Sequence, residues 1–238
     1  LVERVFRGRP TAVAAAAISG RGTPALVAPA PASCLGPLEL GLQKQVLRLG
    51  DVTHLLLTHI HLDHAGATGT ILRRHPGIKV LVHERGAPHM AHPEKLIESA
   101  TRLYGANMDR LWGEFAPVPE QNLVVLRGGE QIDVGGRRFD VAYTPGHASH
   151  HVSYFDPTSG VAFVGDTAGV CIDGGYVLPP TPPPDIAPEL GPSTAAPIQP
   201  GAPPTLFQRH YASVHVAAQS RPEPRARLRR EALPATEP

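Results

Sequence analysis

The chain has 238 residues, 42% of them hydrophobic and 18% charged, a balance that supports a packed core and argues against wholesale disorder. Its 22 Lys and Arg stand against 21 Asp and Glu for a formal net charge of +1, so there is no general electrostatic case for nucleic acid or an anionic membrane as partner. No apolar run reaches the roughly 18–20 residues of a bilayer span, and two cysteines exclude a disulfide scaffold and a four-cysteine zinc site.

Residues 1–46 read as an atypical N-terminal segment. Ala12–Ile18 is a short apolar run behind Arg4, Arg7 and Arg9. It reads as a buried strand, and with Ser19-Gly20 after it the stretch also resembles a secretory leader. Without a leader, the unpaired Cys34 and Cys171 point to a reducing cytoplasm.

Residues 47–178 are regular and form the expected core. Thr53–Leu57 reads as a short apolar strand, Ala65–Arg74 as a helix and Lys79–His83 as a second strand. Pro93 suits a first helical turn, and Leu96, Ile97, Ala100, Leu103 and Tyr104 follow at helical spacing. A further stripe, Met108, Leu111, Trp112 and Phe115, reads as core packing, with a cleft wall as the rival reading. Leu123–Leu126, Arg138–Tyr143, His151–Phe155 and Val161–Val164 are strand-like, with turns at Gly128-Gly129, Gly135-Gly136 and Pro157–Gly160. Residues 179–238 hold 15 of the chain's 27 prolines, a density that resists both helix and sheet, so a partly irregular arm is expected there.

The 13 histidines carry the chemistry. Thr58-His59-Ile60-His61-Leu62-Asp63-His64 follows the first core strand. Residues two apart on extended backbone face the same way, so His59 and His61 can share an ion, while Asp63 and His64 fall at the turn into a helix and can hold a neighbouring one. Four such groups packed together are costly to bury unpaired, and a metal satisfies them at once. Thr144-Pro145-Gly146-His147 projects an imidazole from a tight turn at a strand end. Gly165-Asp166-Thr167 places a carboxylate after the apolar Val161–Val164, where it can bridge two cations.

With these three motifs the chain resembles the metallo-β-lactamase superfamily, in its glyoxalase II-like and lactonase-like branch. The resemblance runs from about Asp51 to about Pro184. It implies an α/β fold, the four-layer αββα sandwich, here with atypical N- and C-terminal segments. It also implies a site for two divalent metal ions, zinc first, with iron or manganese as alternatives. By resemblance His59, His61 and His147 hold the first ion, and Asp63 and His64 the second, with Asp166 bridging. The family's last ligand is a C-terminal histidine; His210 is the candidate and His215 its rival. Relatives also carry an acid in the stretch matching Ala25–Ala30, and none is present here.

The function so implied is metal-dependent hydrolysis of a small ester, thioester or lactone by a metal-activated hydroxide, with Asp63 as the catalytic carboxylate. The alternatives are a mononuclear iron enzyme acting on a persulfide, and a non-catalytic domain with an incomplete second site. The expected partner is a small-molecule substrate, with neither nucleic acid nor membrane involved.

Overall fold

The computed structural model describes residues 2–6, 9–19, 22–168, 170–172 and 176–178. Six strands form one sheet in chain order: β1 (Val2–Phe6), β2 (Arg9–Ile18), β3 (Ala25–Val27), β4 (His54–Leu56), β5 (Lys79–His83) and β6 (Leu123–Leu126). The first three are antiparallel neighbours; β3 to β6 run parallel. Parallel neighbours need crossovers. These are α1 (Leu35–Lys44) before β4, then α2 (Leu62–Ala65) and α3 (Thr68–Arg74) before β5, and α4 (Ala87–Ala91), α5 (Glu94–Tyr104) and α6 (Met108–Trp112) before β6.

A second sheet is antiparallel, in the order β10-β9-β8-β7, from β7 (Gln131–Val134), β8 (Arg137–Tyr143), β9 (Val152–Asp156) and β10 (Val161–Phe163). A small pair, β11 (Val170–Ile172) and β12 (Tyr176–Leu178), follows.

Strand alternation sorts the apolar side chains into two cores. Leu26, Leu55 and Val80 pair across the first sheet and face the helices, where Leu38, Leu42, Ile71 and Met90 meet them. Val27, Leu56 and Leu81, one residue on, face the second sheet and pack on Phe139, Val141, Val152 and Tyr154. All six described helices contribute to the helix-side core, so the described layers are helices, sheet, sheet. Ala15, Leu26, Leu38 and Leu42 precede residue 47 and lie in the same core as the residues that follow it.

Most expected strands recur within a residue or two. The expected helix over Ala65–Arg74 is two pieces, because the turn through Gly66 and Ala67 packs against the loop after β3, where the Ala67 amide donates to the Ala30 carbonyl. Phe115 is buried in the helix-side core, with Met108 and Trp112 packed against it. That part of the stripe therefore serves packing.

Candidate metal centre

The strand directions bring the motifs together. The loop after β4 carries His59 and His61, the latter in extended backbone, and α2 opens at Leu62, which puts Asp63 and His64 on its first turn. In the second sheet β8 and β10 both run antiparallel to β9. They therefore point the same way, and their C-terminal ends deliver His147 and Asp166 to one edge. The two sheets are stitched there: the Val152 amide donates to the Thr58 carbonyl at 2.7 Å, and the Tyr154 hydroxyl donates to the Leu57 carbonyl at 2.9 Å.

Two overlapping donor groups result. One is His59, His61 and His147; the other is His59, His64 and Asp166; within each, the ligand atoms lie within 4.8 Å of one another. His61 Nδ1 and His147 Nε2 are 2.9 Å apart. Asp166 faces both sides, with Oδ1 at 3.0 Å from His64 Nε2 and Oδ2 at 3.5 Å from His147 Nε2. Asp63 lies beside the second group, Oδ2 at 3.4 Å from His64 Nε2. His59 Nε2 is buried and makes no hydrogen bond within the described protein, while its Nδ1 meets the Thr58 hydroxyl at 3.1 Å. A buried, orphaned nitrogen among converging imidazole and carboxylate donors fits a divalent cation, and that hydroxyl orients the ring as metal-binding histidines require.

Burial, and then neighbouring imidazoles, hold His59 well below the usual histidine value. Burial and then His147 bring His61 down to about 4, so both rings are neutral and their lone pairs free for a cation. His64 is the opposite case. Burial works against its charged form, yet Asp63 and Asp166 outweigh this and raise it to about 10. Burial would raise Asp63, but the charge and hydrogen bond of His64 bring it to about 2. The two carboxylates thus make this corner a place where positive charge is held.

The packing beneath is tight. His151 Nδ1 meets the hydroxyls of Thr144 at 2.8 Å and Thr167 at 3.0 Å. Gly165 has φ +47°, and a Cβ there would come 2.6 Å from His151 Nε2 and 2.7 Å from Thr58 Oγ1, so this turn requires glycine.

The structure therefore brings together His59, His61, His64, His147 and Asp166, and sets Asp63 at their side. His210 and its rival His215 lie outside the described residues. His59 belongs to both groups, where the sequence assigned it to one. His151, read as the start of a strand, is a fully buried support under the site. Tyr104, at the end of α5, packs on Trp112, and burial and then the charge of Asp63 push its phenol above the usual value. No motif marks it, since only the fold carries α5 to that point. His64 Nδ1 is buried and has no hydrogen-bond partner among the described residues.

The family described as the Metallo-beta-lactamase superfamily matches residues 18–213. The chain belongs to this superfamily, and its fold is the αββα sandwich, of which the described residues supply one helical layer and both sheets. It is 34% identical over 139 residues to a metallo-β-lactamase fold-containing protein of Sulfurisphaera tokodaii, covering 57% of this chain and 51% of that one. It is 32% identical over 148 residues to a hydroxyacylglutathione hydrolase of Thermosynechococcus vestitus, covering 61% of this chain and 44% of the relative. The crystal structure of a metallo-β-lactamase family protein from Thermus thermophilus superposes with a TM-score of 0.59 at 29% identity, over 76% of this chain and 61% of that one. The chain spans about half the length of the curated relatives it matches.

Proposed function

We propose that the protein is a metal-dependent hydrolase of a small thioester, with esters and lactones as the neighbouring substrate classes. One observation carries this reading: the Asp166 carboxylate turns one oxygen to His64 and the other to His147, as a ligand shared by two ions does. The similarity to hydroxyacylglutathione hydrolases supports the thioester.

In this reading His59, His61 and His147 would hold one ion and Asp63 and His64 the other, with Asp166 as their shared ligand; His210, which lies outside the described residues, would be the last ligand of the second set. A nitrogen-rich donor set favours zinc. Bound divalent ions lower the pKa of water and polarise an acyl carbonyl. The chain's own residues do the rest. His59 and His61, neutral at physiological pH, stay available as ligands without first losing a proton. Asp63, held ionised, accepts the proton of the attacking water and passes it to the departing thiolate. Thr58, Thr144 and Thr167 fix the rings of His59 and His151 through their hydroxyls.

The test is elemental analysis of the purified protein together with rates on a hydroxyacylglutathione thioester, a lactone and nitrocefin. About two zinc ions per chain and preference for the thioester are expected, with His210→Ala lowering the content towards one. A single iron with oxygen uptake on a persulfide would overturn the reading in favour of a dioxygenase. One ion and no turnover would mean an incomplete second site.

A further inference from the structure

His150 stands beside the donor groups but belongs to neither. Its ring is nearly parallel to that of His59, with 6.3 Å between centroids, and perpendicular to that of His61 at 5.6 Å. The loop that carries it is pinned at both ends. The Tyr143 hydroxyl donates to the Ser149 carbonyl at 2.9 Å, and the His151 amide donates to the Ala148 carbonyl at 3.1 Å. The ring itself is oriented by the first sheet's loop: the Ile60 amide donates to His150 Nδ1 at 3.4 Å.

That bond fixes the tautomer. A ring nitrogen that accepts from an N–H carries no proton, so the imidazole is neutral and its proton sits on Nε2. Among the described residues none accepts from Nε2, which leaves this donor unused within the described protein. His83 has the same arrangement: the Arg85 amide donates to its Nδ1 at 3.2 Å, and its ring stacks on Tyr143 at 4.5 Å.

We infer that His150 is a substrate-positioning residue whose Nε2–H donates to an acyl oxygen of the bound thioester, beside the ions and without ligating them. The assignment rests on the thioesterase reading above. A pinned loop and an orienting backbone amide leave little freedom to lose when the substrate docks, as a positioning donor needs. Asp63, beside His64, remains the proton carrier.

The experiment compares His150→Asn, His150→Phe and His150→Gln with the parent. Asn keeps an acceptor near the Ile60 amide but lacks the reach of Nε2; Phe keeps the ring; Gln can place an N–H where Nε2 stands. The readouts are metal content, KM and kcat on a hydroxyacylglutathione thioester, and calorimetric binding of its non-hydrolysable amide, which retains the acyl oxygen. Asn and Phe should raise KM and weaken amide binding about tenfold, the size of one lost hydrogen bond, with metal content unchanged and kcat within about twofold. Gln should recover much of the loss. Variants that match the parent in KM and amide binding would overturn the assignment, as would a loss of metal in Asn and Phe. If the parent neither cleaves the thioester nor binds the amide, the thioesterase reading itself fails and takes this assignment with it.

Discussion

At the residue scale the centre depends on atoms that have no substitute. His61 Nδ1 and His147 Nε2 approach one another across the two sheets, and a methyl group at either position leaves the first ion with too few donors. His61→Ala should strip most of the metal, measured by elemental analysis, and cut activity by more than the ~10–100-fold typical of losing a residue that only supports a ligand. Gly165 is a steric case. A methyl at 165 meets His151 and Thr58 while the backbone keeps a left-handed angle, so Gly165→Ala should destabilise by about 1–3 kcal/mol in a urea melt and loosen metal by moving Asp166. A variant as stable as the parent would show that the turn relaxes. The ligand run His59–His64 was legible in the sequence because strand alternation and a helical first turn are local rules. The role of His151 was not, because its hydroxyl partners Thr144 and Thr167 come from beyond two different strand ends.

Elements show the same division between local and distant causes. Helix α1 escaped the sequence reading although Leu35, Leu38 and Leu42 are all buried, because Gly36, Pro37 and Gly41 hide the period. Packing of that leucine stripe on the sheet overrides poor propensity. The helix ends with Val46 at φ 59°, and the Leu47 amide reaches back to the Leu42 carbonyl at 3.0 Å. A β-branched residue in that left-handed position is strained. Val46 is 93% exposed, so Val46→Gly loses little packing and should stabilise by about 1 kcal/mol, read as a raised denaturation midpoint. The turn after β9 is held by Asp156, which accepts from Arg137 at 2.6 Å, from the Ser159 hydroxyl at 2.8 Å and from the Thr158 amide at 2.9 Å. Burial alone would raise its pKa; the hydrogen bonds and the guanidinium win and lower it. A carboxylate depressed in the fold contributes stability above its unfolded pKa of about 3.9 and loses it as the pH falls through the folded value. Asp156→Asn should therefore cost about 1–3 kcal/mol at pH 7, and the gap to the parent should close in acid denaturation series.

For the whole molecule, fold class came with the family resemblance that the three motifs carry, and the strands and helices read between Thr53 and Val164 are compatible with it. The second core was less legible. Phe139 and Tyr154 mark its side of the sandwich only once β8 and β9 are known to pair, a contact between strands and not a pattern within one. Ion removal should act at this scale. A ligand bound by the folded state alone adds stability as RT ln(1 + [L]/Kd), so chelation should lower the melting temperature of the parent and change that of His61→Ala far less.

His59, His61, Asp63 and His64 follow a strand of one sheet, His147 and Asp166 follow strands of the other, and the Val152 amide bonded to the Thr58 carbonyl lies where the sheets meet. A cation seated there is a rivet through both plates of the sandwich. Withdrawing it frees one plate to slide against its neighbour, and the first trace should be faster deuterium uptake at the Val152 amide, ahead of any change in helix α1 on the far flank.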